Sequence, residues 1–338
     1  MGGAYLRQTM LSRSFQAYNH EASIMLTSIL ERRITLHQLR IFKTVVDLHG
    51  FTRAAEALAL TQSAVTHQIQ ALERSIGFAV FQSSRRTIEL TQVGTALYER
   101  AGRILALVRE TGDALDDIAG LKSGSVRIAA DTTVGIYVLP DAMAAFRQSH
   151  PEIALSLDVV NRQRVRELLL SGDADIGVAG RLWEDDLLDA APFLNNELKC
   201  FSAPSHPLAQ RGRVEPAELL DGPLLLREVG SGTRESAEAI LREHGVEPQP
   251  DMEMASNGAL KRAVARGLGV TILSTYAVRL EVELGHLTIV PVRGLPVSRR
   301  WHVVWTKERI LSPAAQAFRK HLLAPDWRQQ LSVPLTSE

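Results

Sequence analysis

The stretch FTRAAEALALTQSAVTHQIQALERSIG, which ends at Gly77, constrains this chain more than any other. It holds a short apolar-periodic segment, a tight turn and a second, longer segment. Ala54, Ala55 and Leu58 fall on one helical face of the first. In the second, Val65, Ile69, Leu72 and Ile76 recur at steps of 4, 3 and 4, so a single stripe faces inward. The small Ala54 and Ala55 let two helices cross closely. Ser63 is placed to cap the second helix, and Gly77 suits the left-handed position after its last turn. The outer face carries Ser63, Thr66, His67, Gln70 and Arg74. These are short or amide-bearing donors and acceptors rather than a Lys/Glu mixture. A helix with that face can enter a major groove and hydrogen-bond base edges. The bland alternative is a helical hairpin with a polar outer side.

The next segment argues against the bland alternative. Residues 78–91 (FAVFQSSRRTIELT) contain two β-prone runs around a polar SSRR tip. A hairpin directly after a recognition helix is a wing. Arg85 and Arg86 sit at its tip, where guanidinium groups reach phosphates or a narrow minor groove.

From about Ile34 onward the chain resembles the LysR-type transcriptional regulators. The residues that carry the resemblance are Leu36, Leu39, Phe42 and Val45, then GFTRAAEAL from Gly50, TQSAVT from Thr61, Ile69, Leu72-Glu73, Gly77, Phe81 and LTQVG from Leu90. One departure is visible: where the family has an Arg two residues after the wing Phe, this chain has Ser83. The resemblance implies an α+β multidomain protein. Its parts are an N-terminal winged helix-turn-helix (34–91), a linker and dimerisation helix (92–121), and an α/β effector-binding domain (125–325) of two subdomains, periplasmic-binding-protein-like. Subdomain I is expected at about 125–195 and 299–325, and subdomain II at about 196–298. Residues 1–33 fit no family element; they are expected to be a disordered extension or to lie upstream of the true start, with Met25 as an alternative.

Composition sets the outer bounds. A chain of 338 residues suggests two or three domains, and 45% apolar residues can bury substantial cores. A formal net charge of zero argues against a general polyanion binder and for a local footprint. Between Glu31 and Thr95 there are 8 Lys and Arg against 5 Asp and Glu, a modestly basic segment. The lone Cys200 lies in an apolar strand-like run and is expected to be a buried, inert thiol. No run of apolar residues is long enough for a membrane span, and the first 20 residues lack the core of a secretory signal, so a cytoplasmic location is expected.

Leu97, Ala101, Ile104, Val108, Thr111, Leu115 and Ile118 step 4, 3, 4, 3, 4, 3, a heptad seam that argues for pairing with a second helix. The resemblance implies that this helix pairs two subunits, that dimers assemble into tetramers, and that the oligomer reads an inverted-repeat operator. It also implies RNA polymerase as a partner.

Lys122-Ser123-Gly124 reads as a hinge. Beyond it strands and helices alternate, which predicts a mainly parallel sheet, with one helix over Ile136–Ser149. The resemblance implies that the chain crosses from subdomain I near Leu194–Leu198 and returns near Pro296–His302. Ligands collect at the carboxyl ends of strands in such sheets, where helix N-termini present N–H groups. Asp131-Thr132-Thr133, the run Gly230 to Arg234, and Asn257-Gly258 are such helix starts. Each alone reads as a plain N-cap; together they suit a carboxylate, phosphate or sulfate.

The candidate effector-binding residues are therefore Thr132, Thr133, Arg227, Ser231, Thr233, Arg234 and Asn257, with Arg227 and Arg234 as anion partners. The candidate DNA contacts are Arg53, Thr61, Gln62, Ser63, Thr66, His67, Gln70, Arg85 and Arg86. TTVGIYVLP from Thr132 and NGALKRAVARGLGVTIL from Asn257 resemble the branch of carbon-fixation and sulfur-assimilation regulators, which implies a small anionic metabolite as effector and no cofactor. No HExxH, GxSxG, P-loop or CxxC is present, and His206 and His302 are isolated, so neither an enzyme nor a metal site is expected. A solute-binding protein or a ligand-independent DNA-binding protein remains as the alternative.

Overall fold

The structure, a computed structural model, describes residues 34–82, 88–118, 124–184, 186–307 and 309–331. The extension 1–33, the wing tip with Ser83, Arg85 and Arg86, and the hinge residues Lys122 and Ser123 lie outside that set. The chain divides into two compact units, residues 1–109 and 110–338.

The first unit is built from α1 (Leu36–Asp47), α2 (Phe51–Ala57), α3 (Gln62–Ile76) and the start of α4 (Gln92–Ile118). Thr35 and Gln38 cap α1 reciprocally, a capping box that satisfies two otherwise orphaned amides. Ile41, Phe42, Val45, Ala54, Val65, Leu72 and Val80 have no exposure and form the core. The Phe81 ring packs 5.6 Å from Phe42 and 5.5 Å from Phe51, so the wing is pinned to the helices by aromatic contact. The described feet of the wing pair through Phe81 and Leu90, and Gln82 N–H donates to the Glu89 carbonyl at 2.8 Å. Glu73 explains itself here: its carboxylate accepts from Val80 N–H at 2.9 Å, tying the end of α3 to the wing. Gly94 is a packing requirement, since a Cβ there would lie 2.0 Å from the Val80 carbonyl oxygen.

The first two heptad positions of α4 do not belong to an open seam. Ala101 is fully buried and Leu97 packs against the same core, so the first two seam positions serve their own unit. From Ile104 onward the seam opens: Ile104, Val108 and Leu115 are 42%, 43% and 61% exposed.

The second unit begins with β1 (Ser125–Asp131), α5 (Thr132–Tyr137), α6 (Leu139–Ser149), β2 (Ala154–Val160), α7 (Arg162–Leu170) and β3 (Ile176–Ala179). The expected single helix is two. Val138 leaves helical geometry (φ −130°, ψ −51°) because Pro140, near the start of α6, lacks an N–H and crowds the preceding turn. The chain then runs through β4 (Leu188–Ser202), β5 (Leu225–Arg227), α8 (Gly232–Glu243), β6 (Met252–Met254), α9 (Asn257–Ala265), β7 (Thr271–Ser274), α10 (Thr275–Glu283), β8 (Thr288–Val290), β9 (Val297–Thr306) and α11 (Pro313–Leu323).

The sheet order is β2-β1-β3-β9-β4-β7, with β8 also on β4. The expectation of a mainly parallel sheet is overturned. β1 is parallel to β2 and β3, but β9 is antiparallel to β3 and β4, and β4 is antiparallel to β7 and β8. The reason is topological: β4 leaves the first subdomain and β9 returns to it, so they run in opposite directions and pair from Leu188 with Thr306 to Leu198 with Val297. Register shifts between Pro192 and Leu194, where proline supplies no ladder N–H. One core, with Phe146, Trp301 and Phe318, fills the first subdomain. Others, with Cys200 and Ile240, and with Phe201 and Leu260, fill the second.

Candidate functional site

On α3, Thr61 rather than Ser63 is the cap: its hydroxyl accepts from Ala64 N–H at 3.2 Å and lies 3.0 Å from the Ser63 hydroxyl. Extended backbone at Thr61 ends the turn two residues earlier than the sequence suggested. Ser63, His67 and Gln70 are exposed along one face of α3, and Thr66, half-buried, bonds back to the Gln62 carbonyl at 2.9 Å. Gln62 accepts from Thr52 at 3.3 Å, a bridge between α2 and α3 that restricts its amide. Arg53 is exposed on α2 with its guanidinium on the His49 carbonyl.

The second unit contains a cleft of about 730 Å³ between the two subdomains, open to solvent. Thr132 and Thr133 reach it from α5, and Gly230, Ser231 and Thr233 from the start of α8. Arg227 also lines it, from the end of β5. Its guanidinium is buried and committed: it donates to both Glu228 carboxylate oxygens, at 2.7 and 2.8 Å, and to the Asn257 side chain.

Two expected residues do not line the cleft. Arg234 turns away to Glu238 (2.6 Å), to Glu253 and to the Arg227 carbonyl (3.0 Å). Those carboxylates raise its proton affinity further, so it acts as a structural cation. Asn257 stands one layer behind, buried, donating to the Thr133 hydroxyl at 3.4 Å. The third helix start at the cleft is instead that of α7, where Asn161 caps through Arg164 N–H at 2.9 Å.

Several cleft residues were missed by sequence reasoning. Arg162 and Arg181 follow β2 and β3, and the rule that ligands gather beyond strand ends could have found them. Arg299 and Arg300 lie within β9 and carry no local signal; only the β4–β9 crossing brings them there. Among the described residues the cleft is lined by five guanidinium groups (Arg162, Arg181, Arg227, Arg299, Arg300) against three carboxylates (Asp131, Glu228, Glu235). Burial and the nearby Arg181 hold Arg299 below the ordinary arginine range, against the pull of Glu243 and Glu235. Asp131 is affected in the other direction: burial pushes its carboxyl up to about 6, although Gly180 N–H donates to it at 2.8 Å and Arg162 is near.

The two walls meet directly. Thr133 and Thr233 hydroxyls are 3.4 Å apart, and Arg181 lies 3.9 Å from Glu235 across the opening. Cys200 is buried in β4, and desolvation pushes its thiol up to about 12. No group of His, Cys, Asp and Glu able to hold a metal occurs among the described residues. No described helix is long and apolar enough to cross a membrane.

A helix-turn-helix with a wing, a long helix with an exposed apolar stripe, and a cationic cleft between two α/β subdomains together define a ligand-responsive transcription regulator. The chain belongs to the LysR family: residues 36–107 match the bacterial regulatory helix-turn-helix protein of the lysR family, and residues 119–325 the LysR substrate binding domain. It is 35% identical over 295 residues to the HTH-type transcriptional activator CmpR of Synechocystis sp., covering 87% of this chain and 97% of that protein. It is 36% identical over 291 residues to the RuBisCO operon transcriptional regulator of Allochromatium vinosum (86% and 96%). These relatives carry the carbon-fixation branch. The Synechocystis CcmR regulatory domain, solved in complex with 2-PG, superposes with a TM-score of 0.56 at 32% identity, over 60% of this chain and 96% of that one. The solute-binding alternative is set aside by the helix-turn-helix match and by regulators aligned along nearly their whole length.

Proposed function

We propose that this regulator senses a small polyanionic metabolite, an organophosphate that also carries a carboxylate, in the cleft of its second unit. The observation that carries the reading is the excess of two guanidinium groups over carboxylates in a cleft lined by Thr132, Thr133, Ser231 and Thr233. Guanidinium forks and hydroxyls are the donors that phosphate and carboxylate oxygens take. The 2-PG complex of the CcmR domain supports the class, since 2-phosphoglycolate bears both groups. Thr132, Thr133, Ser231 and Thr233 contact the effector directly; Arg227 and Asn257 hold Thr133 in place, and Arg234 braces the α8 start from behind.

On the DNA side, Ser63, Thr66, His67 and Gln70 read base edges, with Gln62 or Gln70 suited to adenine. Thr61 and Arg53 flank them at the phosphates, and Arg85 and Arg86 extend the contact from the wing. The exposed stripe Ile104, Val108 and Leu115 pairs two copies, which reads an inverted repeat as a dimer or a dimer of dimers. The domain limits that follow are 34–91, 92–121 and 125–325. The chain acts in the cytoplasm as a regulator without catalytic activity, and RNA polymerase is the partner whose access it changes. Effector closure of the two subdomains biases one arrangement of the oligomer over another.

Footprinting on the intergenic DNA upstream of the chain's own gene, with and without 2-phosphoglycolate and other anionic metabolites, tests this. A protected inverted repeat that shortens or shifts with a phosphorylated carboxylate is expected. Protection identical under every metabolite overturns the effector reading. No protection by folded protein overturns the DNA reading.

A further inference from the structure

Asp131 ends β1 at the floor of the cleft, immediately before Thr132 and Thr133. Aspartate is a strong N-cap former, yet this side chain makes no capping bond to α5. One carboxylate oxygen, Oδ2, accepts from Gly180 N–H at 2.8 Å. The other, Oδ1, is buried and has no hydrogen-bond partner. The nearby cations are not turned to it. Arg162 donates to the Arg181 and Leu182 carbonyls at 2.9 and 2.7 Å, and Arg227 to Glu228 and Asn257. A buried, unsatisfied carboxylate oxygen in a native site asks for a partner the protein does not itself provide.

For the ionised Asp131, phosphate and carboxylate oxygens cannot be that partner. They are acceptors, and beside Asp131 they meet like charge. The second ionisation of a phosphate monoester lies near pH 6, so its own O–H is largely gone at neutral pH. An alcohol hydroxyl donates at any pH. We propose that Asp131 is the specificity-determining residue of this cleft: its Oδ1 accepts a hydrogen bond from a carbon-bound hydroxyl of the effector, which makes the preferred effector a hydroxylated phosphate ester such as a phospho-hydroxy acid. The proposal rests on the reading of the cleft as an anion-effector site and narrows it. Burial raises the Asp131 carboxyl to about 6, in keeping with a group held in the site without its partner.

Calorimetric titration of the full chain at neutral pH with 2-phosphoglycolate and 3-phosphoglycerate tests it. Both carry one phosphate and one carboxylate; only the second has a free hydroxyl. The wild type is expected to bind 3-phosphoglycerate about tenfold or more tightly, as a hydrogen bond to a charged group is worth. In Asp131→Ala the ratio falls to about one, whatever happens to both affinities from the lost charge. Asp131→Asn keeps an acceptor for Gly180 and the side-chain shape; its ratio falls as well. Equal wild-type affinities, or a ratio unchanged in both variants, overturns the role of Asp131 and leaves the anion reading standing. Binding of neither compound by the wild type overturns both.

Discussion

Thr133 and Thr233 place their hydroxyl oxygens 3.4 Å apart, although 100 positions separate them in the chain. One rides on α5 and the other on α8, from opposite walls of the cleft, and Asn257 donates to Thr133 from behind. A ligand bound between these walls acts on both subdomains at once, which is what a closure-type switch requires.

Thr133→Val keeps the volume and removes the hydroxyl. The effector is expected to bind about tenfold more weakly, as for one lost hydrogen bond to a charged group. Operator affinity without effector stays within about twofold, because Thr133 belongs to the second unit. Gel-shift titrations with and without effector check both; loss of operator binding itself would contradict the assignment.

Asp131 also predicts a pH dependence of stability. Its folded-state value of about 6 lies above the ordinary 3.8, with Arg162 and Glu235 as the charges that face it. The folded protein therefore holds this proton more tightly than the unfolded chain. The associated stability is fully present below about pH 4 and is lost as pH rises through about 6. Asp131→Asn removes the ionised form, so it should be more stable than wild type at pH 7.5 by about 3 kcal/mol. Urea denaturation at pH 7.5, 6 and 4.5 should show that gap closing as pH falls. A constant gap would mean burial does not act through ionisation.

Gln70 is exposed on the outer face of α3, the face proposed to read base edges. Gln70→Ala should cost about 1–3 kcal/mol on the specific operator and almost nothing on random duplex. Equal losses on both would show that Gln70 touches backbone rather than base edges.

Leu115 is 61% exposed on α4, four residues beyond Thr111 in the same stripe. Leu115→Glu should leave each folded unit intact and shift the chain toward monomer in sedimentation velocity. Operator affinity should fall about tenfold or more as the two half-sites lose their linkage. An unchanged sedimentation coefficient would remove the stripe from the interface.

The helix-turn-helix, the feet of the wing and the long helix after it were legible because their information is local. Val65, Ile69 and Leu72 record an inward stripe at helical spacing, and all three are buried. Cys200 was readable for a similar reason, sitting in the strand-like run Leu198–Ala203, all of which is buried. Local reading failed where neighbours decide. Ser63 and Thr61 are both good caps, and the turn geometry chose Thr61. Ala101 fits a heptad equally well as core or as seam, and the packing of the first unit claimed it.

By itself, then, the order of residues determined the elements, their apolar faces and the family of the DNA-reading unit, since 3.6-residue and two-residue periodicities are written within a few turns of chain. Only the tertiary structure decided the effector cleft. The antiparallel pairing of β4 with β9 brings Arg299 and Arg300 to the cleft that Arg162, Arg181 and Thr133 also line, while Glu238 and Glu253 hold Arg234 away from it. Strand register between segments a hundred residues apart depends on how whole subdomains pack, and no local pattern encodes which side chains that register will gather.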